Sequence, residues 1–294
     1  MKISTNTYPL TSAFGQKGAI EVIANAGFDA VDISVFGLKD NHPIFSADYK
    51  NYARELLSIS EKLNITYNQG HAPHPTSMGE LGYDTMIFEK TLRAMEFCSL
   101  LKVPIIVVHP KQHLDYSNAE NIKRLRELNL EFYNRLIPYC KDFNIKIATE
   151  NMWQGDVGNI TYSVCNHPQE FKEYLDMINS PYFVACLDIG HANIMGKDIP
   201  KFIKTLGNKL ETLHVHDTKR NFDLHALPYS ENGDDFWIPI LKTLAEIDYK
   251  GDLTLEAYNS ILKTDKKDMP TVTKKAADIA KRMAQKFNSF KESR

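Results

Sequence analysis

The chain has 294 residues, 43% apolar and 24% charged, so it can bury a large core without disulfide or metal staples. Its formal net charge of -2 excludes a global attraction to phosphate backbones or anionic membranes. Cys98, Cys140, Cys165 and Cys186 form no CxxC pair and read as buried thiols, which fits a reducing, cytoplasmic compartment. The first six residues lack the apolar run of a signal peptide, and the apolar stretch 103–108 is far too short to span a bilayer, so no membrane partner is expected.

Short β-type runs alternate with longer helical patterns, the signature of parallel strands joined by helical crossovers. In chain order the strands are expected at residues 2–5, 30–33, 65–69, 103–108, 145–149, 183–187, 211–215 and 252–255. The helices are expected near 17–26, 49–63, 84–101, 119–143, 168–177, 199–206, 235–247 and 271–287. The fourth strand is a continuous apolar run, as a strand buried on both faces requires. Eight such units predict one (β/α)8 TIM barrel over residues 1–294, with no linker dividing it.

A doubly wound open sheet would want a Gly-rich turn after the first strand, but that turn reads Asn6-Thr7-Tyr8-Pro9-Leu10. Gly190 and Gly196-Lys197 have the wrong spacing for a phosphate loop. Lys123, Arg124 and Arg126 read as a solvated helix face.

Metal-competent residues recur where strands end. The third strand ends at His71, the fourth at His109, the fifth at Glu150, and the sixth at Asp188 with His191 beyond. The seventh carries His214 and His216, its loop adds Asp223 and His225, and the eighth ends at Glu256. In a barrel these ends share one mouth. Strand alternation turns His214 and His216 to the same side. A lone carboxylate there reads as a cap, but several converging acids need a compensating cation. Glu150, Asp188, His214 and Glu256 are therefore expected to hold a divalent metal, with zinc, manganese, cobalt and magnesium all compatible. Trp153, Tyr8 and Phe36 could wall or cover a substrate. His42, His74, His113 and His167 read as surface or loop residues. Lys111 and Lys219-Arg220 read as ordinary loop charges.

At Glu150-Asn151, Asp188-x-x-His191, His214-x-His216-Asp217, Asp223-x-His225-x-x-Pro228 and Glu256, the chain resembles the xylose-isomerase-like barrel superfamily. That group includes sugar and sugar phosphate isomerases and epimerases, and the endonuclease-IV-type nucleases. The resemblance implies one metal on Glu150, Asp188, His214 and Glu256, the two glutamates as an acid/base pair, and His191 on a substrate hydroxyl. His216, with Trp153 and Tyr8, is expected to contact the sugar or polyol. The nuclease resemblance implies further metals, up to three ions per chain, on His71, His109, His191, Asp223 and His225. The nucleases' Gly-rich stretch after the first strand is absent, and Phe36-Gly37-Leu38-Lys39-Asp40 offers one cation where DNA would call for several. Nucleic acid is thus not an expected partner. The expected activity is a metal-dependent sugar isomerase or epimerase. The alternatives are a multi-zinc phosphoesterase, a polyol dehydratase or a sugar-binding protein. A homodimer is expected by resemblance alone.

Overall fold

The computed structural model describes residues 1–156 and 158–293. Each barrel strand is followed by a helix: β1 (Ile3–Asn6) and α1 (Tyr8–Ala26), β2 (Ala30–Ser34) and α2 (Tyr49–Lys62), β3 (Thr66–His71) and α3 (Leu81–Leu100). Next come β4 (Ile105–Val107) and α4 (Ala119–Phe143), then β5 (Lys146–Glu150), a hairpin of β6 (Trp153–Asp156) and β7 (Asn159–Tyr162), and α5 (Pro168–Ile178). β8 (Phe183–Asp188) leads into the short α6 (Ile189–Ile194) and α7 (Ile199–Leu206). β9 (Leu210–His214) leads into a second hairpin, β10 (Asp217–Lys219) and β11 (Phe222–Ala226), and α8 (Asp234–Glu246). β12 (Leu253–Leu255), the short α9 (Tyr258–Leu262) and α10 (Met269–Glu292) end the described chain.

The eight strands run in the order β12-β1-β2-β3-β4-β5-β8-β9, all neighbours parallel. β9 meets β12 through a parallel bridge between Val215 and Leu255, where Val215 N–H donates to Thr254 O (2.9 Å) and Glu256 N–H to Val215 O (3.0 Å). The expected TIM barrel is what forms. The main core lies between the strands and the outer helices, and residues such as Ile33, Leu187 and Leu213 face it fully buried.

The barrel interior is divided. Ile105, Val107, Ala148, Val184 and Cys186 form a small apolar cluster of their own. Opposite it lies a hydrogen-bonded polar layer. Ser4 Oγ donates to Thr254 Oγ1 (2.8 Å), Asn68 Nδ2 to both, and Gln69 Nε2 to Asp32 Oδ2 (3.1 Å). These bonds offset most of the cost of burying the layer, though Asp32 Oδ1 and Asn68 Oδ1 have no partner in it.

Most elements fall within a few residues of the expected ranges; the larger departures are in α1 and on the rim. α1 begins at Tyr8, not near residue 17, because Pro9 suits a first helical turn and Thr7 O accepts from Leu10 N and Thr11 N. The chain then breaks at Gly15 (φ 67°), which no other residue type adopts as readily, and resumes as the expected helix. The two hairpins occupy stretches expected as loops; both stand on the C-terminal rim of the barrel. All four cysteines are free and buried. Among the described residues, no helix is long and apolar enough to cross a membrane.

Candidate metal centre and cavity

The ends of β5, β8, β9 and β12 bring Glu150, Asp188, His214 and Glu256 together, with one ligand atom from each lying within 4.8 Å of the others. His214 Nδ1 stands 3.0 Å from Glu150 Oε2, 3.6 Å from Glu256 Oε2 and 3.9 Å from Asp188 Oδ2. Asn151 fixes the frame. Its Nδ2 donates to Asp188 O (2.9 Å) and its Oδ1 accepts from Asp188 N–H (2.8 Å). The Asp188 carboxylate in turn caps α6 by accepting from His191 N–H (2.6 Å).

Two further groups adjoin the first. His71, Glu150 and His214 also converge within 4.8 Å, and His109 Nε2 lies 3.0 Å from His71 Nε2 and 3.2 Å from Glu150 Oε2. On the other side His191, His216, Asp223 and His225 converge within the same limit. His225 Nε2 and Asp223 Oδ2 are 3.0 Å apart, as are His216 Nε2 and Asp188 Oδ1.

The chemistry of this donor set fits divalent ions. Both carboxylate oxygens of Glu150 and both ring nitrogens of His214 are buried without a hydrogen-bond partner, as is Asp223 Oδ1. Buried polar atoms are rarely left so, and atoms of this kind converging on one point are what an ion satisfies.

The electrostatics separate the two glutamates. Burial pushes the Glu150 carboxyl up, but the His214 and His109 rings outweigh it and hold the group well below the carboxylate range. Burial raises Glu256 to about 8, with His214 opposing and Glu150 and Asp188 adding to the rise. Burial opposes charge on His191 and His214, yet both are raised well above 6.5, His191 by Asp188 and Asp223, His214 by Cys186, Glu256 and Glu150. His71 is driven well below 6.5 by burial and by His109 and His214.

Above these residues opens a cavity of about 820 Å³. Glu150, Glu256, His71, His109, His191, Asp223 and His225 line it, together with Trp153, Phe36 and Tyr258. Trp153 stands on its wall, pinned by Nε1–H donating to Asp223 Oδ2 (3.2 Å). Tyr8 and His216, both expected to contact substrate, are not among the lining residues. Tyr8 packs behind the wall, 4.8 Å from the Phe36 ring and edge-on to Tyr258 at 5.4 Å. His216 is buried beneath His225, ring on ring at 3.9 Å, and bonded to Asp188. It therefore joins the second ligand group.

Among the lining residues that the sequence reading does not place at the site, His74 and Tyr258 stand against its aromatic and imidazole groups. His74, expected as a surface or loop residue, is a loop residue that lies in the cavity with its ring stacked on Phe36 (4.2 Å, 10°), and burial lowers its imidazole to about 3. Tyr258, two residues after Glu256, stacks on His225 at 4.0 Å. An aromatic two residues past a strand-end carboxylate was the available signal for Tyr258.

His216 also has no room to move. A Cβ on Gly190 would stand 1.9 Å from its Cε1. We expect Gly190→Ala to force His216 off Asp188 and to cost about 1–3 kcal/mol. Thermal unfolding should show a Tm lowered by roughly 2–10 °C, with ion content reduced. A wild-type Tm and ion content would show that the His216 position is not fixed.

The sequence profile of the xylose isomerase-like TIM barrel family matches residues 20–283. The chain belongs to this family. Within reach of this xylose isomerase-like barrel, the uncharacterized protein MJ1311 of Methanocaldococcus jannaschii is 28% identical over 245 residues, 82% of this chain and 78% of that protein. An L-ribulose 3-epimerase of a Methylomonas species is 23% identical over 258 residues, 85% of this chain and 80% of that enzyme. The crystal structure of a D-tagatose 3-epimerase-like protein superposes with a TM-score of 0.71 at 21% identity, covering 97% of this chain and all (100%) of that one, which shows a shared fold.

Proposed function

We propose that this protein is a metal-dependent isomerase, specifically an epimerase, of sugars carrying a carbonyl group. The observation that carries the reading is the pair of buried glutamates at one point, Glu150 held ionised and Glu256 raised to about 8. Two titratable groups pushed apart in this way are suited to act as base and acid. The names of the Methylomonas enzyme and of the tagatose-epimerase-like structure are consistent with it.

Glu150, Asp188, His214 and Glu256 would hold the divalent ion. When bound, such an ion supplies Lewis-acid polarisation of a substrate carbonyl. The Glu150 carboxylate takes the proton from the carbon beside the carbonyl, and the C–H electron pair moves into an enediolate. Glu256, whose carboxyl takes up a proton more readily than an ordinary one, returns a proton to the opposite face of the same carbon. His191, held by Asn151 O at 2.9 Å through Nδ1, presents Nε2 toward Asp223 (3.7 Å) and can orient a substrate hydroxyl. Trp153, Phe36 and Tyr258 would cover one side of the open-chain sugar.

A second reading, hydrolysis of a phosphoester by a multi-ion centre, is favoured by the ligand groups around His71 and around His191, His216, Asp223 and His225. The two separate in one experiment. In D2O, with Mn2+, Co2+, Mg2+ or Zn2+ supplied, a panel of 2-ketopentoses and 2-ketohexoses should gain one deuterium at C3 and epimerise there. No exchange on any ketose, together with cleavage of abasic duplex DNA or an aryl phosphodiester, would overturn the epimerase reading.

A further inference from the structure

We infer that the substrate of this cavity is an uncharged saccharide and that the site rejects the phosphate esters of the same sugar. The inference rests on the epimerase reading and narrows its substrate class.

The described residues lining the cavity include four carboxylates, Asp115, Glu150, Asp223 and Glu256, and no Lys or Arg. Recognition of a phosphate dianion calls for charge-assisted donors such as Arg or Lys, or for a helix N-terminus. An ion there would be held by three carboxylates, Glu150, Asp188 and Glu256, and His191 faces Asp223 (3.7 Å), so neither leaves a free positive charge for a dianion.

The basic residues that follow the mouth-forming strands do not line the cavity. Lys111 follows His109, yet its Nζ turns to Asp84 Oδ2 (3.0 Å) and lies 5.5 Å from the Phe132 ring centre, outside the cavity wall. Lys197 sits 4.2 Å over the Tyr162 ring. Lys219 and Arg220 lie at the exposed turn between β10 and β11, off the lining.

The usual phosphate seat of this architecture is also filled. In TIM barrels it lies in the loops after the last two strands, at the start of a short extra helix. Here that helix is α9, and the β10–β11 hairpin roofs it. Asn259 Nδ2 donates to Leu224 O (3.0 Å), Leu227 N–H to Ser260 Oγ (3.1 Å), and His225 Nδ1 lies 3.0 Å from Glu256 O. Tyr258, its first residue, lies flat against His225.

What the cavity offers instead suits a neutral polyol. Phe36, Trp153 and Tyr258 present apolar faces to C–H surfaces, while Gln112, Asn159 and Thr161 on the rim and the carboxylates below can pair with hydroxyls.

The test compares each 2-ketopentose and 2-ketohexose with its terminal phosphate on the metal-loaded enzyme, read as kcat/KM for deuterium exchange. The expected ratio favours the free sugar by roughly 100-fold or more, the size of a few kcal/mol of like-charge repulsion. Asn159→Lys, which adds a cation to the rim away from the glutamates, should narrow that ratio roughly tenfold. A phosphate ester used as well as the free sugar would overturn the inference and leave the epimerase reading standing. So would a ratio that Asn159→Lys leaves unchanged, since charge would then not be the cause. Exchange with neither would remove the epimerase reading; saturation-transfer NMR with the same pairs then decides. Saturation of the free ketose alone keeps the inference, and saturation of the phosphate, or of neither, overturns it.

Discussion

Replacing Glu256 with Gln is expected to lower kcat by about 100- to 10,000-fold while the ion-free barrel unfolds at nearly its wild-type temperature. The separation follows from the protonation state of this side chain. In the ion-free protein, with its carboxyl raised to about 8, Glu256 is chiefly neutral at pH 7, and a Gln of the same shape is a neutral isostere. The change removes the proton that must be delivered and little of the packing. Glu150→Gln should behave differently. Glu150 is held ionised by His214 and His109, with His214 Nδ1 only 3.0 Å from its Oε2. Its neutral amide would remove the charge that His214 faces, so activity and stability should fall together, the latter by about 3–5 kcal/mol. Steady-state kinetics and thermal unfolding of the two variants check the contrast. Wild-type turnover in Glu256→Gln would sink its assignment as the acid, and an unchanged Tm in Glu150→Gln would sink the charge argument.

The barrel was legible because parallel strands buried on both faces leave continuous apolar runs, as at residues 103–108, and because each run stops at a polar residue. The same stop points marked Glu150, Asp188, His214 and Glu256, whose side chains emerge where the strand ends and the mouth begins. The rim was less legible. β6, β7 and β10 are three or four residues long and largely exposed or half-exposed apart from Asp217 and Thr218, so neither length nor alternation marks them. Alternation put His216 on the same side as His214. Its actual place was set by tertiary contacts that period-2 patterning does not encode: β9 ends at His214, and the next turn slides His216 between Gly190 and His225. Tyr8 went astray for a related reason. It begins a helix and points along the wall, where Phe36 and Tyr258 intervene before the cavity. His74 could not be told from a loop histidine, because what distinguishes it is the face of Phe36, 38 residues earlier in the chain.

Chelation should abolish turnover altogether and lower the Tm, and the size of that drop should grow with pH. An ion held at 1,000 times its Kd stabilises the folded chain by about 4 kcal/mol, or roughly 10 °C in Tm for a protein of this size. To coordinate, Glu256 and His214 must give up protons that the folded protein holds tightly, so binding releases protons and strengthens as pH rises through about 8. The metal-free protein moves the other way. A carboxyl raised from 4.5 to about 8 on folding favours the folded state least at high pH, because the native chain then binds protons that the unfolded chain does not. The raised His214 and His191 act in the same sense, their stabilisation being present below the ordinary histidine value and lost as pH rises. The Tm gap between loaded and chelated protein should therefore widen from pH 6 to pH 8.5, and calorimetry in two buffers should report proton release at pH 7. A gap that narrows over this range would contradict the assignment of Glu256 and His214 as ligands. Elemental analysis of the same loaded protein fixes the ion count. One ion per chain would place it on Glu150, Asp188, His214 and Glu256. Two or three would mean that His71, His109, His191, His216, Asp223 and His225 also coordinate, and that phosphoesters deserve the first assay.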